Sequence, residues 1–261
     1  MAMAPLLALI SLTAAIAQTP ENPDDLYRTG QRLFADHKPD QALAALRRAA
    51  ELRPTDAATW AAIGVVHASR ADYPQAESAF HTACLLKPDL PDACLYYGRT
   101  LYLQDRFDDA LRVLGLAAGR EPEHAQIRRV TALCLEALGR APEAELAFQQ
   151  AIRFDRASPA NDDPAIDYGV FLYRQGRAAD ALAPLEAALK RHPDAARAHL
   201  ELGCVLLALD RSADAASHLE RATALDPAAP RGHLLLGKAY QRLGKSDLAE
   251  RELAQGSRTA R

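Results

Sequence analysis

Strand-forming residues are scarce in this chain, and aromatic residues make up only 6% of it. A sheet draws on Val, Ile, Thr and aromatic side chains, so a β architecture is excluded. Alanine and leucine, both strong helix formers, supply much of the 49% hydrophobic share. A dominant charge sign is also missing. The net charge is -3, with no Lys/Arg block, which removes the electrostatic basis for a nucleic-acid partner. The four cysteines form no C-x-x-C, and the histidines show no ligand spacing. There is no glycine-rich phosphate loop, no Ser/His/Asp order and no isolated carboxylate pair. No catalytic residue, metal site, cofactor or small-molecule substrate is therefore expected.

Long apolar runs are absent after the first residues. Those read MAMAPLLALISLTAAIAQTPENP, without charge from Ala2 to Ala17, and end on Ala15-Ile16-Ala17. An A-x-A pattern after a short apolar run is the mark of a secretory signal cut before Gln18. The run is shorter than the roughly 20 residues of a spanning helix. Residues 1–17 are thus expected to be a signal peptide and 18–22 a linker. Export to the periplasm or beyond is the expected localisation, with a cytosolic chain as the alternative.

What the body of the chain does contain is a beat. Glycines stand at Gly30, Gly64, Gly98, Gly169, Gly203 and Gly237, at steps of 34, 34, 71, 34 and 34. The 71 is 34 plus 37, with Ala132 at the missing place. Twelve residues after each comes an alanine: Ala42, Ala76, Ala110, Ala144, Ala181, Ala215 and Ala249. A glycine inside a helix costs roughly 1 kcal/mol against alanine, so six of them need a reason. Two antiparallel helices joined by a short turn would bring the small residues together and let the backbones approach. Large apolar residues follow each alanine by four, from Leu46 and Phe80 to Leu253, one turn further on the same face. Prolines such as Pro54, Pro122 and Pro193 close the units, where a helix must stop.

This pattern resembles the tetratricopeptide repeat family. The unit AATWAAIGVVHASRADYPQAESAFHTACLLKPDL carries Trp60, Ile63-Gly64, Ala76, Phe80, Ala83 and Pro88 where the family pattern wants them. The resemblance covers seven units, at 23–56, 57–90, 91–124, 125–158, 162–195, 196–229 and 230–261, with 159–161 inserted. It departs from the pattern at the first-helix aromatic, kept only at Trp60; Leu26, Cys94, Arg128, Ala165, His199 and His233 fill that slot elsewhere. The resemblance implies an all-α fold, a right-handed α-solenoid of antiparallel helix pairs. One unit cannot bury its apolar face, so stacking makes the core.

In this family the concave face, built by the first helices, holds protein or peptide partners. The family's inward slots fall here on Tyr27, Phe34, Arg99, Tyr102, Arg129, Tyr173, Arg174, Arg197, Arg231, Lys238 and Arg242, with Val65, Leu103, Ile166 and Leu207 among their apolar neighbours. The later half reads as apolar with repeated positive charge, suited to an apolar, acidic segment. The chaperone-tail clamp of the family is absent, since Tyr27, Gln31 and Ala61 stand in its slots. A non-enzymatic scaffold is therefore expected. Self-assembly through the uncapped C-terminal unit, or an accessory role in an enzyme or secretion complex, is the alternative.

Two local features remain. In SPANDDP, residues 158–164, the insertion reads as a longer loop or as a flex point between blocks. Its carboxylates match no calcium loop. Cys84 and Cys94 lie symmetrically about Asp89 on either side of an interhelical turn. They are either small buried core residues or a disulfide, permitted in an exported chain.

Overall fold

A computed structural model describes residues 21–87 and 91–259; the expected signal segment lies outside them. Fourteen α-helices fill these residues as seven pairs: α1 (Pro23–Ala35) with α2 (Pro39–Leu52), α3 (Ala57–Ser69) with α4 (Tyr73–Leu86), α5 (Pro91–Leu103) with α6 (Phe107–Arg120), α7 (Ala125–Ala137) with α8 (Ala141–Phe154), α9 (Pro164–Arg174) with α10 (Ala178–Arg191), α11 (Ala196–Ala208) with α12 (Ser212–Leu225), and α13 (Pro230–Arg242) with α14 (Ser246–Thr259). A 3-10 turn, Ala160–Asp162, precedes α9. The fold is an all-α solenoid of helix pairs. First helices approach one another from pair to pair more closely than second helices do, so the stack curves with the first helices on its inner face.

The glycine beat has a sharper cause than a glycine–alanine contact. A Cβ added at Gly30, Gly98 or Gly203 would lie 2.5, 2.7 and 2.5 Å from Leu46, Leu114 and Leu219 Cγ. The large residue sixteen places on fills the space above each glycine, while the alanine one turn earlier presents only its backbone, with Ala42 O at 3.3 Å from the Gly30 position. Long helical side chains lean toward the N-terminus, which carries each leucine from its own turn over the glycine.

Each turn inside a pair also passes through one left-handed residue. These are His37, Ala71, Asp105, Gly139, Gly176, Asp210 and Gly244, with φ between 56° and 77°. Alanine there costs about 1–2 kcal/mol. Ala71→Gly is expected to raise the unfolding free energy by about 0.5–1 kcal/mol, part of the gain being returned to the looser unfolded chain. Urea titration of the two proteins checks it.

Among the described residues the buried apolar side chains form three groups, spanning 42–79, 94–134 and 132–249. The last two meet in α7, so the core runs on through the insertion. Between the second and third pairs Phe80 and Ala83 of α4 are buried at 2% and 0%, against Ala93 and Cys94 of α5 at 2% and 1%. There Cys84 and Cys94 are joined, with S–S 2.00 Å and Cα atoms 4.8 Å apart. Of the two readings left open by their spacing, the structure takes the bonded one. Phe80 stacks on Tyr96 at 5.4 Å beside them. Cys134 and Cys204 are free thiols; burial pushes Cys134 up to about 12.

Candidate functional site

The inner face divides into two chemically different halves. Toward the C-terminus its arginines are not a free positive stripe. Arg231 forks onto Glu201 at 2.5 and 2.9 Å. Arg174 lies 3.2 Å from Glu136. Arg242 donates to Leu207 O at 2.5 Å and reaches Asp210 at 3.2 Å. Arg197 pairs with Asp167 and donates to Asn161 O at 3.1 Å. Each acid sits on a neighbouring helix pair, about one repeat away in sequence. The expectation that these arginines present open positive charge is corrected accordingly: they tie one pair to the next.

Arg129 departs furthest from expectation. It is only 7% exposed and donates to Asp167 at 2.5 Å, to Asp162 at 2.9 Å and to Gln126 at 3.0 Å. Its Nε and Nη1 donors are turned to neighbouring acids and an amide rather than out into the groove. Asp167 therefore joins α7, α9 and α11 by accepting from Arg129 and Arg197. Arg99 approaches the same cluster, 4.0 Å from Asp162. Ile166 and Leu207 are also core, at 0% and 4% exposure. Tyr173 and Tyr102 are half-buried, and Lys238 is exposed.

The insertion belongs to this network. Asp163 caps α9 by accepting from Ala165 N–H at 2.8 Å and takes Arg191 at 2.5 Å. Arg191 also holds Asp155 at 2.5 Å, and Gln126 bonds Ser158 and Asp162 O at 2.6 and 2.8 Å. The acidic run thus takes its cations from arginine side chains. Asp163 Oδ2 is buried and has no hydrogen-bond partner among the described residues; burial holds this carboxyl above its ordinary range despite the nearby Arg191.

The histidines in the aromatic slot turn out to keep one function of the family tryptophan. Trp60 Nε1 donates to Pro54 O at 2.8 Å. His199 Nε2 bonds Pro193 O at 2.9 Å, and His233 Nε2 bonds Pro227 O at 3.1 Å. The shared feature is a ring N–H pointing at the carbonyl six residues back. Since His199 Nε2 donates, its Nδ1 accepts from His218 Nδ1, 3.0 Å away. Burial, with the His199 ring next, lowers the His218 pKa. The unfolded state then binds the proton more readily, so this contribution is complete above the ordinary histidine value and is lost as pH falls below it. His218→Gln is expected to lose less stability between pH 7.5 and 5.5 than the parent chain, read by denaturant titration at both values.

Toward the N-terminus the inner face is an apolar hollow of about 500 Å³ lined by first helices of three successive pairs. Tyr27, Gln31 and Phe34 come from α1, Ala58, Ala61, Ala62 and Val65 from α3, and Asp92 and Tyr96 from α5. Val65 is 36% exposed and Tyr96 38%. Gln31 Nε2 donates to Tyr27 OH at 2.8 Å. The slot pattern placed Tyr27, Phe34 and Val65 here and missed Tyr96, which occupies the same slot as Asp167 and Glu201 in later pairs. Recurrence of polar residues at that slot was the available signal.

The tetratricopeptide repeat family model matches residues 27–93, 98–162, 172–230 and 200–261. The chain belongs to the tetratricopeptide repeat family. Members of this family are suited to scaffolding protein–protein interaction. Among curated proteins, this repeat chain is 28% identical over 133 residues to the BBSome complex member BBS4 of Bos taurus, a match covering 51% of this chain and 25% of that protein. It thus spans about a quarter of that relative. Among solved structures, the Pseudomonas aeruginosa pilF protein superposes with TM-score 0.65 at 21% identity, over 85% of this chain and 96% of that one. YrrB, described as a TPR protein with an unusual peptide-binding site, superposes with TM-score 0.53 at 18% identity, over 69% and 92%. These two show the fold shared with this repeat array.

Proposed function

We propose that this chain is a non-enzymatic, exported scaffold that holds a segment of a protein partner in the hollow of its first three helix pairs. The observation that carries the reading is the hollow itself: aromatic and aliphatic side chains left open on the inner face of a rigid stack. Apolar pockets of roughly 300–1,000 Å³ with few polar groups are the usual form of a binding site, and aromatic anchors dominate interface energetics. YrrB, a TPR protein with an unusual peptide-binding site, has a similar fold. The binding reading moves the expected contact from the arginine-rich half, where the charges are internally matched, to the N-terminal half. Export is supported by the A-x-A segment and by the Cys84–Cys94 bridge, since disulfides persist in oxidising compartments.

The test is site-specific photocrosslinking in the producing cell. A crosslinking residue at Phe34 is expected to trap a discrete partner, whereas one at Leu116, 70% exposed on a second helix, is not. Val65→Glu, which sets a charge in the hollow, should reduce the trapped product at least fivefold. Equal trapping at both positions refutes the hollow as the site. Intact mass of the purified chain tests export: it is expected to begin at Gln18 and to show two thiols blocked before reduction.

A further inference from the structure

The inner face follows a rule about charge. Asp24, Glu136, Asp162, Asp167 and Glu201 each accept from an arginine: Arg53, Arg174, Arg129, Arg129 with Arg197, and Arg231. Asp92 breaks the rule. It accepts from no arginine among the described residues; its nearest basic neighbour is the His124 ring, with Nε2 at 3.7 Å, and its side chain is 69% exposed. His124 Nδ1 accepts from Ile127 N–H at 3.3 Å, which leaves Nε2 as the nitrogen that faces Asp92. Among the described residues Asp92 is also the one charged side chain lining the hollow, with no lysine, arginine or histidine beside it in the lining.

We infer that the hollow selects a partner segment bearing two bulky apolar side chains and a lysine or arginine, the cation set against Asp92. The inference rests on the hollow being the binding site and adds the chemistry of what enters it. Leu46 and Val66, each 1% exposed, are the most buried of its lining side chains, while Val65 and Tyr96 stand open at 36% and 38% beside the half-buried Tyr27 and Phe34. That shape admits large side chains between aromatic walls. Tyr96 is braced from behind by Phe80, so this wall needs no ordering on binding, which favours affinity. A carboxylate at the rim of an apolar site, partly shielded from water, attracts a cation and repels an acidic segment. The partner's cation would complete the acid–arginine pairing that the rest of the inner face makes internally.

The experiment selects phage-displayed random dodecapeptides on the immobilised full-length chain, then measures synthetic copies of the enriched peptides by fluorescence anisotropy. The expected peptides carry Lys or Arg close to two large apolar residues. Their Kd is expected to rise roughly tenfold in Asp92→Lys and by a smaller factor in Asp92→Asn. Selection on Asp92→Lys is expected to enrich Asp or Glu instead. Far-ultraviolet circular dichroism verifies that the variants remain helical, and Asp92→Asn keeps the test alive if the lysine variant misfolds. Peptides that lose binding in Val65→Glu yet are acidic, or ignore both Asp92 variants, overturn this inference and leave the hollow as the site. Peptides indifferent to Val65→Glu, or an empty selection, overturn both.

Discussion

Asp167→Ala is expected to lower the unfolding free energy by about 3–5 kcal/mol. Asp167 is 4% exposed, and Arg129 beside it 7%. The pair as a whole need not be strongly stabilising, because desolvating two ions offsets their attraction. Removing one partner is different: it leaves the Arg129 guanidinium buried with its principal acceptor gone, and only Asp162 and Gln126 remain to it. Arg197, partly exposed, can turn to water. The loss is large against the 5–15 kcal/mol that a folded domain commands. Denaturant titration measures it, and the double variant Arg129→Met/Asp167→Leu separates the causes. If the damage comes from an orphaned charge, the double variant recovers most of the stability. If it comes from lost attraction, the double variant stays as low as the single one.

Phe148→Ala is expected to cost about 3–5 kcal/mol, the lost burial being compounded by the cavity left behind. Phe148 is fully buried. Its ring centroid lies 5.4 Å from Phe171 and 5.9 Å from Tyr168. Phe148 comes from α8 and the other two from α9, so the trio spans the junction that carries the three inserted residues. Truncation there is expected to broaden the unfolding transition as well as shift it, since helix pairs that lose their interface begin to unfold separately. A transition that only shifts would mean that the arginine network alone couples the two sides. Both variants bear on the insertion as a flex point, an idea that the continuous core and the Arg129 and Arg191 pairings argue against.

The repeat was legible in the sequence because its cause is local and steric. A glycine under a leucine recurs at a fixed interval, and a backbone–side-chain clash of that kind tolerates few substitutes. The turn residue at the left-handed position was not legible. His37, Ala71, Asp105 and Gly139 share no side-chain property, and the conformation is imposed by the helices on either side. The inner-face arginines were legible as positions on the first helices, but their acid partners were not. Their partners lie 30 to 38 residues away, and which acid meets which arginine depends on the rotation from one pair to the next. The slot pattern does not encode that rotation. Asp92 carried no signal alone; its meaning came only once every other inner-face acid had been matched.

The hollow straddles the seam between the second and third pairs, where Phe80 is buried and stacks on Tyr96. Two of its walls, α1 and α3, belong to one side, and the third, α5 with Tyr96, to the other. The Cys84–Cys94 link closes a span of only ten residues across that seam, so the third wall is tethered to the other two by a bond as well as by packing. In a reducing medium that seam would be left to side-chain packing and the connecting chain alone.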